Sequence, residues 1–277
     1  MKEIYTPEVF SRSAEKNKKG EDVVIHIVFI RHGEKEHDPT NNNTPLTEKG
    51  IQQGREFGSS RQETDMIKSY VSPTKRTEDT GNAIVSANNS KKGVLRERDE
   101  LAFPYEEGGQ FDRKISQLKK EIIGDDPLKL TSKELNEKVM DASNGIINFY
   151  LDFDKDKPED KTVRSPREIA SKTSKLLLHY LNMSKRLISN SEVDLINVTH
   201  DLNIVSFLKY FFEDQINTGE KFKIEDSGGP INFVEGYEIK IERKNADNFE
   251  IKLSFRGQEY TISEEFLEKT ASAEYEK

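Results

Sequence analysis

Apolar and polar positions follow two periods along this chain, and each change of period marks an element. Residues 23–30 read Val-Val-Ile-His-Ile-Val-Phe-Ile, an almost unbroken apolar run rich in β-branched residues. That pattern suits a strand buried on both faces, as in a parallel sheet. Residues 66–71 and 194–198 are shorter runs of the same kind, and Val94-Leu95 adds a brief one. Between them the spacing turns helical. Ser165-Pro166-Arg167-Glu168 is a capping box with proline at the first helical position. Ile169, Thr173, Leu176, Leu177, Tyr180 and Leu181 then share one face. Ile204, Phe207, Leu208 and Phe211 give a second helix its buried side. Thr47 is placed to cap a helix reaching about Phe57, although Gly50 and Gly54 weaken it. Ser72 as N-cap and Pro73 at the first helical position predict another helix, ending near Ala87. Thr131 with Glu134 is a capping box for a helix reaching Tyr150. Towards the C-terminus the period falls to two: Tyr237, Ile239 and Ile241 alternate, as do Phe249, Ile251, Leu253 and Phe255, with Asn245-Ala246-Asp247-Asn248 between them. This predicts a β-hairpin.

The expected fold class is therefore α/β: a three-layer sandwich with a mainly parallel central sheet, a helical insertion and a C-terminal β-hairpin. Residues 1–22 read as a polar N-terminal arm, 23–263 as one domain and 264–277 as a polar tail. Within the domain, residues 96–109 read as a long loop, 110–160 as a helical insertion or cap, and 152–160 as a solvated acidic connector. The hairpin either extends the sheet, covers its edge or pairs with another chain.

Composition narrows the function. Hydrophobic residues make up 33% of the 277 positions and charged residues 34%, so the surface is very polar. The net charge of −8 disfavours nucleic acid or an anionic membrane as a partner. There are no cysteines, which excludes disulfides, thiolate chemistry and Cys-ligated zinc. No apolar run approaches the roughly 18 residues that suggest a membrane span. The first twenty residues lack the apolar centre of a secretion signal. A soluble, cytoplasmic protein is expected.

The candidate chemistry gathers where strands end. Residues 23–30 deliver Arg31 and His32, residues 66–71 deliver Ser72 and then Arg76, and residues 194–198 deliver His200 and Asp201. Ligands of open parallel sheets bind beyond the carboxyl ends of the strands. If the three strands are parallel neighbours, two arginines and two histidines converge. Arginine forks bind phosphate oxygens bidentately, and helix N-termini add amide donors. Such groups stabilise charge on a transferring phosphoryl group. An imidazole can attack phosphorus, and a nearby carboxylic acid can protonate the leaving oxygen.

These residues resemble a known family. Arg31-His32-Gly33-Glu34 is similar to the signature of the histidine phosphatase superfamily, the phosphoglycerate mutase-like group. Four further segments match in order: residues 45–50 (Pro-Leu-Thr-Glu-Lys-Gly), residues 72–80 around Arg76, residues 165–167 loosely, and Val198-Thr199-His200-Asp201. The resemblance spans about residues 23–213. It implies that His32 is the nucleophile and that Arg31, Arg76 and His200 bind phosphate. The proton donor stays open. In the branch with phytases and acid phosphatases it is the Asp after the second His, which is Asp201 here. In the mutase branch it is a Glu after the second-Arg helix, for which Glu97 or Glu100 is placed. Asp201 is favoured. Lys35-Glu36 replaces an Arg-rich continuation, and Asp201 replaces the Gly typical of mutases, so the substrate stays open.

Other histidines read plainly. His26 is a packed strand residue, and His179 sits on a helix without catalytic company. His37 with His32, Glu34, Glu36 and Asp38 matches no zinc spacing, so neither a metal nor another cofactor is expected. The function expected is hydrolysis of a phosphomonoester, a small phosphorylated metabolite, through a phosphohistidine on His32. A mutase or phosphotransferase with the same site, a metal-dependent phosphoesterase and a non-catalytic phosphate-binding module are the rivals.

Overall fold

In a computed structural model, residues 23–36, 43–61, 64, 66–90, 93–104, 108–124, 131–152, 163–216, 222–245 and 248–272 are described. Four strands form a parallel core: β1 (Val23–Arg31), β2 (Met66–Val71), β3 (Gly93–Glu97) and β4 (Glu192–Thr199). Three more continue the sheet in antiparallel fashion: β5 (Gly236–Asn245), β6 (Asn248–Phe255) and β7 (Gln258–Thr261). The order is β3-β2-β4-β1-β5-β6-β7. The three strands read as buried runs are adjacent, as expected. β1 and β4 pair with Arg31 opposite Thr199, and β2 and β4 with Val71 opposite Val198. The hairpin of β5 and β6 extends the sheet beside β1.

Helices cover both faces. On one side lie α1 (Glu48–Ser60) and α2 (Lys75–Ala87), above Val28, Ile30, Ile67, Val71, Ile196 and Val198. On the other lie α5 (Pro166–Ser184) and α6 (Asp201–Ile216), over the larger core of Ile25, Ile27, Phe29, Val193, Leu195 and Tyr237. Alternation along β5 shows the consequence: Tyr237, Ile239 and Ile241 are buried, while Glu238, Lys240 and Glu242 point the other way.

Local chemistry accounts for the helix starts. Thr47 accepts from the Gly50 amide, and Thr131 and Ser165 each complete a reciprocal capping box with Glu134 and Glu168. Two expectations change. α2 begins at Lys75 after Thr74, two residues later than the Ser72-Pro73 pattern predicts. The Ser72 hydroxyl is engaged with Thr77 Oγ1 at 3.1 Å and His200 Nε2 at 3.0 Å, so it does not cap. α1 runs past Phe57 to Ser60 despite its glycines. A Cβ on Gly58 would lie 2.4 Å from the Ile84 carbonyl, so the missing side chain lets α1 lie against α2.

Two helices form the insertion: α3 (Gln110–Ile123) and α4 (Ser132–Leu151). Phe111 stacks on Phe149 at 6.2 Å and meets Tyr150 edge-on at 5.8 Å, and Tyr150 donates to the Arg164 carbonyl at 2.8 Å. These contacts continue the main core. The 96–109 stretch is not all loop, because β3 extends to Glu97 and a 3-10 turn spans Asp99–Leu101. The expected polar tail is corrected over α7 (Glu264–Ser272). Phe266, Leu267, Thr270 and Ala271 are buried, and Phe266 lies 5.7 Å from Phe211. Charged Glu264, Glu265, Glu268 and Lys269 hide that apolar face in the sequence. Residues 1–22, 153–162 and 273–277, and with them the N-terminal arm and most of the acidic connector, fall outside the described residues.

Candidate active site

Parallel pairing brings the ends of β1, β2 and β4 to one level, where Arg31, His32, Ser72, Arg76, His200 and Asp201 meet. The His32 amide donates to the Thr199 carbonyl at 3.1 Å, and the Ser72 amide to the Val198 carbonyl at 3.2 Å. The start of α6 follows His200 directly, and that of α2 follows three residues after Ser72. Both helix N-termini carry a partial positive charge.

Hydrogen bonds fix both imidazole tautomers. His32 Nδ1 lies 2.8 Å from the Gly33 carbonyl, an acceptor, so Nδ1 bears the proton. Nε2 is then the unprotonated nitrogen, and Arg76 Nε donates to it at 3.1 Å. Arg76 Nη2 lies 3.4 Å from His200 Nδ1, which accepts because a guanidinium cannot. His200 Nε2–H therefore donates to Ser72 Oγ at 3.0 Å. The two rings stand 5.5 Å apart at 69°. Both histidines are buried, with 5% and 6% of their surface exposed.

Burial and cations keep these rings neutral. Desolvation lowers the His32 pKa most, followed by Arg76 and, more weakly, Arg31; the hydrogen bond to the Gly33 carbonyl and, least, the charge of Asp201 oppose them. His200 falls well below the ordinary value for the same reasons: desolvation first, then Arg76, His32 and Arg31. Lys35 is also pulled down, by desolvation and then by Arg76, Lys119 of α3 and Arg31. The region is thus strongly positive within a chain of net charge −8.

Arg31 is gripped on several sides. Nη1 donates to the Ile231 carbonyl at 2.7 Å, Nη2 lies 3.3 Å from Asp201 Oδ2, and the Phe233 ring sits 4.5 Å from the guanidinium carbon. Its Nε is buried without a partner. An unpaired buried donor is costly, and a phosphate oxygen would satisfy it.

The candidate acids separate. Asp201 opens α6, within ion-pair range of Arg31, and its charge acts on His32. Glu97 and Glu100 instead line a cleft of about 580 Å³ with Tyr70, Arg96, Arg98, Asp99 and Lys172. Glu100 also acts on His179 and Tyr180 of α5. Neither glutamate shares that cleft with Arg31, His32, Arg76 or His200. In the same residues no group of three His, Asp or Glu could hold a metal ion, and no helix is long and apolar enough to cross a membrane. His37 and Asp38 lie outside them.

Several supports were not singled out in the sequence. Buried Thr80 accepts from the Gly33 amide at 3.0 Å and donates to the Arg76 carbonyl at 2.7 Å, so it ties the His32 loop to α2. Thr199 Oγ1 and Asn203 Nδ2 both donate to the Leu101 carbonyl at 2.8 Å, which pins the turn after β3 to β4 and α6. Thr80 belongs to the Arg76 segment and could have been found there at helical spacing from Arg76. Phe233, about 200 residues from Arg31, had no local signal.

Comparison with known proteins agrees with the resemblance. The family model for the histidine phosphatase superfamily (branch 1) matches residues 27–141, which include Arg31, His32, Arg76, Glu97 and Glu100 but end before His200. No curated protein matches the chain. Similar solved structures include a phosphoglycerate mutase from Bacillus anthracis str. Sterne, 14% identical, covering 90% of this chain and 98% of that one with a TM-score of 0.45. A mycobacterial glucosyl-3-phosphoglycerate phosphatase is 14% identical, with 84% and 98% coverage and a TM-score of 0.48. A phosphoserine phosphatase from Entamoeba histolytica, in complex with phosphoserine, is 16% identical, with 86% and 95% coverage and a TM-score of 0.44. Likenesses this distant carry no argument about this chain's substrate.

Proposed function

We propose, from a chain whose residues 27–141 match the histidine phosphatase superfamily, that the protein hydrolyses phosphomonoesters through a phosphohistidine on His32. One observation carries the reading: the unprotonated Nε2 of buried His32 faces Arg76, while Arg31 Nε stands buried and unpaired beside it. A neutral imidazole is a nucleophile once a phosphoryl oxygen takes over the Arg76 Nε donor from its Nε2 lone pair. Two guanidiniums next to it stabilise a phosphoryl group in transit.

In the first step the His32 Nε2 lone pair attacks phosphorus, and the bond from phosphorus to the ester oxygen breaks. That oxygen leaves with a proton from Asp201, whose carboxylate takes up that proton from solvent water when the bound phosphoryl group replaces it on Arg31. In the second step Asp201, now a carboxylate, takes a proton from water. The water oxygen bonds to phosphorus, and the P–N bond breaks to return neutral His32 and inorganic phosphate. His32 Nδ1–H stays on the Gly33 carbonyl, which keeps Nε2 aimed. Asp201 is preferred over Glu97 and Glu100 because it lies beside Arg31 and acts on His32. The site's positive charge favours a phosphate group, and the net charge of −8 steers large polyanions poorly, which together favour a small phosphorylated metabolite.

The test is hydrolysis of an activated aryl phosphate by wild type and His32→Ala, with and without chelator. Chelator-resistant turnover that drops at least about a thousandfold in His32→Ala is expected. Turnover lost in chelator would point to a metal-dependent phosphoesterase. Activity that survives in His32→Ala would remove the phosphohistidine. A phosphorylated substrate isomerised without phosphate release would move the reading to a mutase.

A further inference from the structure

The 227–235 loop lies beyond the matched segment, yet it touches the residues at its heart. On one side it holds Arg31. The Ile231 carbonyl accepts from Arg31 Nη1 at 2.7 Å, and the Glu235 carbonyl accepts from the Arg31 amide at 2.9 Å. The Val234 amide donates to the Arg31 carbonyl at 3.1 Å. Phe233 lies against the Arg31 guanidinium, and its ring centroid is 6.0 Å from that of His32.

On the other side the loop is gathered by one side chain from the C-terminal strands. Arg256, in the turn between β6 and β7, donates Nη1 to the carbonyls of Ser227 and Gly229 at 2.5 and 2.9 Å. Its Nη2 donates to the Pro230 carbonyl at 2.8 Å, and its Nε to Glu235 Oε1 at 2.7 Å. Glu235 Oε2 in turn accepts from the Asn232 amide at 2.6 Å and Nδ2 at 2.9 Å. The planar fork suits this task, because several carbonyls in fixed directions are met at once.

The backbone resists the shape it is given. Val234 has φ of 58° and Arg256 φ of 48°, both in the left-handed region. That region is strained for a β-branched residue and persists where surrounding contacts over-determine it. Gly228 (φ 95°) fits twice over: a Cβ there would lie 2.9 Å from Arg256 Nη1.

We infer that Arg256 is a positioning residue for Arg31: through Glu235 and the 227–235 loop it sets where the Arg31 guanidinium and the Phe233 ring stand relative to His32. The inference rests on the phosphoryl-transfer reading above. A displacement of about 1 Å in a group that meets the transferring phosphoryl costs up to about a hundredfold in rate. The loop, and not His32's own segment, fixes the direction of the Arg31 fork.

The test is a double-mutant cycle on the full chain. Inorganic phosphate binding by calorimetry and aryl phosphate turnover are measured for wild type, Arg256→Ala, Arg31→Ala and the double variant, with thermal unfolding as the control for folding. Arg256→Ala is expected to weaken phosphate binding and lower kcat by about tenfold or more. In the Arg31→Ala background the same substitution is expected to cost less than about twofold, because the guanidinium that meets the phosphoryl group is already gone. Losses that multiply, or an Arg256→Ala protein with wild-type affinity and turnover, would overturn the inference. If Arg256→Ala does not fold, Arg256→Lys and Glu235→Gln enter the same cycle with the same expectation of non-additivity. Coupled phosphate binding in a protein that turns over no aryl phosphate would sink the phosphatase reading and leave the positioning role standing.

Discussion

As the proposed nucleophile, His32 has to be neutral, and its surroundings meet that demand with one arrangement. Burial, Arg76 and Arg31 hold its pKa far below the ordinary imidazole value of 6.5. The pH profile of kcat/KM should therefore show no acid limb near 6.5, since His32 stays unprotonated there; an inflection at that pH tracing to His32 would contradict the site as described. The acid has its own signature. Asp201→Asn should slow substrates with poor leaving groups far more than activated aryl phosphates, which need little protonation. Equal losses on both classes would count against Asp201, and Glu97→Gln and Glu100→Gln tested in the same way would rank the rivals. At this scale the sequence was most legible where a residue follows its own strand: Arg31, His32, Arg76 and His200 sit at strand ends or in the first turn of a helix. Phe233 and Arg256 were not legible. Their partners lie about 200 and 20 to 30 residues away, and no period or motif encodes a contact made through a folded loop.

The elements were legible to the degree that their capping chemistry was local. Ser165 and Thr131 announce their helices because the partner glutamate sits three residues on. Ser165→Ala should cost about 1 kcal/mol of stability, read by denaturant unfolding. Ser72 misled for the opposite reason, since its hydroxyl serves His200 across the sheet. α7 was missed because four charged residues surround its apolar face. Phe266 packs there against Phe207 and Phe211 at 6.1 and 5.7 Å. Phe266→Ala should destabilise the protein by about 3–5 kcal/mol. A change within experimental error would mean that the segment contributes as a tail after all. β7 was missed because Gln258–Thr261 carries no apolar alternation.

Across the whole molecule, the sheet carries a second ionic cluster, apart from the candidate site at its strand ends. His26 of β1 meets Glu238 of β5 at 2.8 Å and Glu192 of β4 at 3.3 Å. Arg61, just past α1, bridges Asp194 of β4 at 2.9 Å and Glu238 at 2.7 Å. The hydrogen bond that His26 donates to Glu238 raises the His26 pKa, with further help from the charges of Glu238 and Asp194, against desolvation and Arg61. A raised folded pKa means that the stabilisation is complete below 6.5 and is lost as pH rises through the higher folded value. Wild type should therefore exceed His26→Gln in stability by more at pH 6 than at pH 8.5 in chemical denaturation. A margin that is constant or grows with pH would refute this. The strand order has a further consequence, for how the protein is made. Among the described strands β1 leaves the ribosome first, but it lies between β4 and β5, whose residues come some 170 and 210 positions later. β1 must wait, without either neighbour, until β4 and β5 have been translated. Contacts so distant in sequence form slowly, and an exposed apolar strand such as β1 invites misassociation meanwhile. The protein's weakest moment is therefore its synthesis, when β1 is complete and its neighbours do not yet exist.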